Sequence, residues 1–259
     1  MRIQLVIVVF SVFLLNAFSI SAQRAITSPT LKDKFEKKVG NLRMSNTIFK
    51  LGKIKNNEVR YDTILLLNES QVPMNISLPL KLPSYIRINI NGSPVAAGGV
   101  GYISLIYEAS KKNDYGFVID RIQLNSDDVE MPQKYITVTA IIEEFFTNQQ
   151  LNDGMNPKAL IPETSFSFGR IKQGEKTSHF FKIYNEGKQP LKLHKIKTNN
   201  SCIKASFSKK EIAPGDSAII LSEYDSFGKL GKELRYFSLY INDPLSPEVK
   251  FEMKGEVIK

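Results

Sequence analysis

From Thr47 onward, short runs of alternating or β-branched residues recur between turn signals: Thr63 to Leu67, Met74 to Leu78, Ile86 to Ile90 ahead of Asn91-Gly92, Val100 to Tyr107, Phe117 to Leu124 and Tyr135 to Ile142. Successive side chains of a strand point to opposite faces, so runs of this kind each have one face to bury and one to wet. Short strands at such spacing predict an antiparallel sandwich or barrel, and helix-period patterning is absent. Thr147 to Pro162 interrupts the pattern with Asn152-Asp153-Gly154 and Asn156-Pro157, the composition of a linker. A second strand-rich run follows from Thr164 to Val257, punctuated at Asn185-Glu186-Gly187, Pro214-Gly215, Gly228 to Gly231 and Asn242-Asp243-Pro244.

The two runs are copies. An offset of 117 residues pairs Phe49 with Phe166, Gly52 with Gly169, Ile54 with Ile171, Asn68 with Asn185, Pro73 with Pro190, Gly98 with Gly215, Tyr107 with Tyr224 and Asn125 with Asn242. It falls to 115 where Val138 meets Met253 and Ile142 meets Val257. Units of about 100 residues with about seven strands have the size of an immunoglobulin-like sandwich, without the Cys…Trp…Cys core of antibody domains. The predicted fold is therefore all-β, two tandem immunoglobulin-like β-sandwich domains after a signal peptide. The expected boundaries are 1–22 signal peptide, 23–46 N-terminal extension with a short helix over Leu31 to Val39, 47–145 first sandwich, 146–161 linker and 162–259 second sandwich.

In the second copy, Phe166-Ser167-Phe168-Gly169-Arg170-Ile171, Asn185-Glu186-Gly187, Ser201-Cys202, Pro214-Gly215-Asp216, Tyr224 and Gly255-Glu256-Val257 resemble the bacterial domain of unknown function numbered 1573. That resemblance implies an exported protein of the Bacteroidota type, and a sandwich similar to the major sperm protein and pilus-chaperone modules. The family often carries Cys-x-Cys where this chain reads Cys202-Ile203-Lys204, with Tyr85 at the matching place of the first copy. Whatever paired thiols do in relatives is lost here. The resemblance supplies no catalytic residues.

The first residues read as an export signal: Arg2, an apolar run from Leu5 to Phe18, and the exit Ser19-Ile20-Ser21-Ala22, with cleavage before Gln23 or one residue earlier. As a helix the apolar run spans about 21 Å, short of a hydrocarbon core of about 30 Å. No cysteine follows it, so the expectation is an exported protein, periplasmic or secreted, not a lipoprotein and without a transmembrane span after cleavage.

The formal net charge of +9 raises the question of a polyanion, but the lysines are spread along the chain and interleaved with acids, with no nucleic-acid motif. No nucleic-acid partner is expected. A single cysteine, Cys202, forbids an intramolecular disulfide and argues against a thiolate metal site.

Candidate chemistry is sparse. His179 shares parity with Phe181 and Ile183 and so faces inward, and His194 lies in another strand-like run. Asp127-Asp128 sits in a turn and Glu143-Glu144 at a strand end, where solvated charge is the ordinary reading. Asp62-Thr63-Ile64 and Asp216-Ser217-Ala218 look like the O-glycan attachment pattern of exported proteins of the same bacterial group. No catalytic, cofactor-binding or metal-ligating set is assigned, and no cofactor. The expected function is that of a non-catalytic exported scaffold or interaction module of the cell envelope, its partner an unknown protein or glycan. The alternative is a periplasmic assembly chaperone holding client strands at an edge strand or an interdomain cleft. The glycine-rich loops Ser93 to Gly101 and Ser226 to Gly231 are the candidate contact loops.

Overall fold

The computed structural model describes residues 34–152, 154–198 and 200–259, so the expected signal peptide lies outside the described residues. Two β-sandwiches follow one another. The first comprises β1 (Lys37–Val39), β2 (Leu42–Met44), β3 (Ile48–Lys55), β4 (Val59–Asn68), β5 (Ile76–Ser77), β6 (Ile86–Asn91), β7 (Val100–Glu108), the short helix α1 (Ala109–Lys112), β8 (Gly116–Ser126) and β9 (Gln133–Glu143). Its sheets have the orders β1-β2-β4-β7-β6 and β3-β9-β8-β5.

After α2 (Asn148–Asn152) the second sandwich runs β10 (Ala159–Leu160), β11 (Ser165–Lys172), β12 (Lys176–Asn185), β13 (Leu191–Thr198), β14 (Ile203–Phe207), β15 (Glu211–Ile212), β16 (Ser217–Asp225), β17 (Gly231–Ile241) and β18 (Glu248–Ile258). Here the orders are β10-β12-β16-β14 and β11-β18-β17-β13-β15. By proximity along the chain trace, two compact units separate at 34–52, 58–112 and 119–140 for one, and 53–57, 113–118 and 141–259 for the other.

Alternation carries the cores. On β7, Ile103, Leu105 and Tyr107 are buried, and on β9 so are Ile136, Val138, Ala140 and Ile142. In the second sandwich Ile220 and Tyr224 of β16 face Phe237, Leu239, Phe251 and Met253. The Phe181, Phe237 and Phe251 rings lie with centroids 4.9 to 6.0 Å apart. Burying each such ring contributes roughly 2 to 3 kcal/mol from area alone.

The repeat is visible in atoms. The Asn68 side-chain amide donates to the carbonyls of Val72 at 2.7 Å and Val95 at 2.9 Å. Asn185, 117 residues on, donates to Gln189 at 2.8 Å and Ile212 at 2.9 Å. Each Oδ1 accepts the N–H two residues ahead, from Ser70 and from Gly187. Each backbone carbonyl accepts from the glycine of the returning loop, Gly98 and Gly215, both at 2.9 Å. Asparagine is required because only an amide donates twice and accepts in one plane.

At the bulge of β11, pairing with β18 shifts register between Ser167 and Gly169, and Gly169 has φ +67°, as does Gly52 in the first copy. The bulge turns Phe168 inward onto Tyr224, ring centroids 4.9 Å apart. It leaves no room for a side chain at Gly255, where a Cβ would stand 2.2 Å from the Phe168 ring.

Two stretches differ from expectation. The N-terminal extension is built into the fold from Phe35 onward: Phe35, Leu42 and Met44 are buried, and Lys37–Val39 is a strand where a helix was expected. The linker region contains β10. The two stretches correspond, since Leu42 pairs with Asn68 as Ala159 pairs with Asn185. A buried aspartate pins each: Asp128 accepts the Asn41 N–H at 2.9 Å, and Asp243 accepts the Ala159 N–H at 2.8 Å. The first sandwich thus takes in residues from Phe35, twelve before the boundary that hydrophobic runs alone suggest, and the second from Ala159, three before it.

The copies also diverge. The strand Met74 to Leu78 shortens to β5, against eight residues for β13. Pro79 and Pro83 interrupt the first copy there, and proline has no N–H for a ladder.

Candidate binding surface

The side chains with chemical potential are mostly held in structural bonds. Asp128, expected as a solvated charge, is buried and meets the Lys134 ammonium at 2.6 Å with both side chains fully covered. Burial would raise its pKa, but Lys134 and the N–H groups of Asn41 and Glu130 outweigh burial and bring it down to about 2. Asp127 accepts from the amide of Asn75 at 2.7 Å.

His179 stacks on Phe166, centroids 4.0 Å apart, and its Nε2 lies 2.7 Å from Glu163. His194 stacks on Tyr115 at 4.5 Å with Glu144 3.3 Å from its Nε2. Burial, together with Glu144 and against the Asn56 amide, pushes the Tyr115 phenol up to about 12. Asp114 beside it is held by Lys195 at 2.7 Å and Lys197 at 3.1 Å. Glu143 pairs with Lys53 and Lys55, both at 2.9 Å.

Cys202 is buried and accepts the Arg235 Nε–H at 3.2 Å, while Arg235 also pairs with Glu233. Tyr224 lies over this group, its pKa raised by burial and then by Glu233. At the matching place of the first copy, the Tyr85 hydroxyl donates to Asp120 at 2.7 Å and Lys112 pairs with Asp120 at 2.6 Å. Both copies therefore fill this position with a charge-paired cluster, which marks it as part of the fold. Among the described residues, no group of three or more His, Cys, Asp or Glu side chains could hold a metal ion.

The two candidate loops separate clearly. Ser93 to Gly101 is consumed by the fold, because Val95 is buried and Gly98 donates to Asn68. Ser226 to Gly231 is presented outward, with Phe227 81% and Leu230 51% exposed.

A further exposed surface lies on β12, β16 and β14. Strand β14 ends its sheet, bonded to β16 alone, so one side of its backbone faces away from the sheet. Beside it, Phe180 opposes Leu221 across the β12–β16 ladder and Lys182 opposes Ile219. Phe180, Ile219 and Leu221 are all exposed on the outer face. A separate open groove of about 540 Å³ runs over β11, β18 and β17, floored by Gly169 and Gly255 and edged by Arg170, Leu234 and Lys254. Gly169 leaves that groove open, since a side chain there would meet nothing within 4 Å.

Residues 160–257 match the model of the family described as Protein of unknown function (DUF1573). The match covers the second sandwich alone. The structural likeness is wider than the DUF1573 match. A protein of unknown function from Porphyromonas gingivalis W83, known from a crystal structure, superposes with a TM-score of 0.58 at 19% identity, over 84% of this chain and 100% of its own. At that identity the likeness is one of fold, and it extends over both sandwiches. The ASH / PapD-like domain of human CEP192 is similar over 40% of this chain and 87% of its own, at 12% identity and a TM-score of 0.34. The YadV chaperone covers 83% of this chain and 99% of its own, at 12% identity and a TM-score of 0.28. No curated protein matches the chain. No helix of the described residues is long and apolar enough to cross a membrane.

Proposed function

We propose that this chain is a non-catalytic interaction module of the bacterial cell envelope, exported by its N-terminal segment, that binds through the outer surface of its second sandwich. One observation carries the reading: Phe180, Ile219 and Leu221 form an exposed apolar stripe next to β14, a strand with one unpaired edge. An open edge offers main-chain hydrogen bonds to an extended segment, and a neighbouring apolar face rewards alternate side chains of that segment. The charge-paired clusters at Cys202 and Tyr85 support the same reading, because both serve to hold the sandwich together.

A photo-activatable cross-linker at Ser206, whose register partner is Leu221, tests it in envelopes of a native host. Capture of a discrete protein or glycan, lost on Phe180→Ser with Leu221→Ser, is the expected result. Background labelling alone would remove the basis of the proposal. A strand-holding chaperone is the narrower form of the same idea, and heterogeneous client peptides co-purifying with the chain would select it over a fixed scaffold.

A further inference from the structure

The loop after β16 has a built conformation and an unusual surface. Ser226 is fully buried, its hydroxyl 2.9 Å from the Lys172 carbonyl and 2.7 Å from that of Glu175. The Lys229 N–H returns to the Ser226 carbonyl at 3.0 Å, closing a four-residue turn. Gly228 in its third place has φ +69°, the requirement of a type II turn, which puts Phe227 at the outer corner. The Gln173 side chain donates to the Lys229 carbonyl at 3.1 Å and braces the turn against the β11–β12 hairpin.

This rigid turn displays apolar groups. Phe227 and Leu230 are exposed, and Gly231 pairs with Val257, so Leu230 lies at the register position of Ile258, itself 40% exposed. Next to them stand Lys172, the ladder partner of Ile258, and, along the chain, Lys229 and Lys232. Of the nearby acids, Asp225 has Lys176 at 3.5 Å and Glu256, opposite Lys232 in the ladder, has Arg170 at 2.8 Å, while Glu175 accepts the Lys172 backbone N–H at 2.8 Å and keeps its charge. Three lysines therefore accompany the apolar tip, and among the described residues Glu175 is the nearby carboxylate without a cation, which leaves the tip net positive.

The fold does not require this surface. At the same offset of 117, Ala109 stands for Ser226, and the first copy has helix α1 there, with Lys111 paired to Glu108 and Lys112 to Asp120. A projecting aromatic and leucine beside a net positive group of lysines is complementary to a bilayer interface, where apolar side chains enter below the headgroups and cations meet phosphates. We infer that the Ser226 to Gly231 end of the second sandwich seats on an anionic lipid surface, with Phe227 and Leu230 inserted and Lys172, Lys229 and Lys232 at the phosphates. This surface is distinct from the β14 edge, and neither reading depends on the other.

The test uses the chain from Gln23, without the apolar leader, sedimented with vesicles of phosphatidylcholine alone or with phosphatidylglycerol added. Binding is expected only with phosphatidylglycerol, falling as salt shortens the screening length. Phe227→Ser with Leu230→Ser should reduce it at least tenfold with the melting temperature unchanged, since both side chains are exposed. Each of Lys172→Gln, Lys229→Gln and Lys232→Gln should reduce it about fivefold. Absence of sedimentation with anionic vesicles, or equal binding by the double serine variant, overturns the inference. So does specific capture of a protein through position 227 by a chain that ignores vesicles, which would assign the tip to a protein partner.

Discussion

The Asp128 carboxylate and the Lys134 ammonium lie 2.6 Å apart with neither side chain open to solvent. A pair this deep is costly to break, because removing one partner strands the other charge in a low-dielectric interior. Lys134→Met alone should lower unfolding stability by about 3 to 5 kcal/mol. Asp128→Leu combined with Lys134→Met should recover most of that loss, as read from denaturant midpoints of the three proteins.

The same pair sets an acid limb. Asp128 has a folded pKa of about 2 against an ordinary 3.8, so its contribution is complete above about pH 4 and is lost as pH falls through 2. The size is on the order of 2 kcal/mol. Thermal melts from pH 5 down to pH 2 should show that loss in the wild type and not in the Leu/Met double variant.

Asn185→Asp should destabilise by about 2 to 4 kcal/mol, although the replacement has nearly the same shape. It withdraws both donors from the Gln189 and Ile212 carbonyls and buries a charge. Asn68→Asp should act alike in the first sandwich. Equilibrium unfolding of each variant checks the equivalence, and a silent substitution at either place would contradict it.

Two glycines of the β11 bulge should respond differently. Gly169 has open space around it, so Gly169→Ala meets only the left-handed backbone penalty, about 1 to 2 kcal/mol. Gly255→Ala drives a methyl to 2.2 Å from the Phe168 ring and 2.6 Å from the Gly169 carbonyl, and should cost more, about 3 kcal/mol. Paired denaturation curves decide the order.

The Cys202 thiol is buried in the cluster that holds Tyr224 and accepts a hydrogen bond from Arg235. Native protein should therefore react slowly with a disulfide reagent, and the rate should rise with the unfolding transition in urea. Fast stoichiometric labelling of folded protein would contradict this burial.

Much of the sandwich was legible because β-strands advertise themselves by alternation, as Val100–Glu108 does, and because turn glycines and asparagines keep a register that chance does not. What was hidden depends on distance. Leu42–Met44 and Ala159–Leu160 are too short to carry a pattern, and what recruits them is Asp128, 87 residues from Asn41, and Asp243, 84 residues from Ala159. Asp127-Asp128 reads as a wet turn until Lys134 is folded over the second acid. Glycine content singled out both candidate loops, yet it cannot distinguish glycines spent on bonds to Asn68 from those that push Phe227 outward.

The matched asparagine networks have a consequence at the level of the gene. Both copies offer Asn68 and Asn185 partners at the same spacing, so an unequal crossover at this turn would leave the asparagine and its bonds intact at the join.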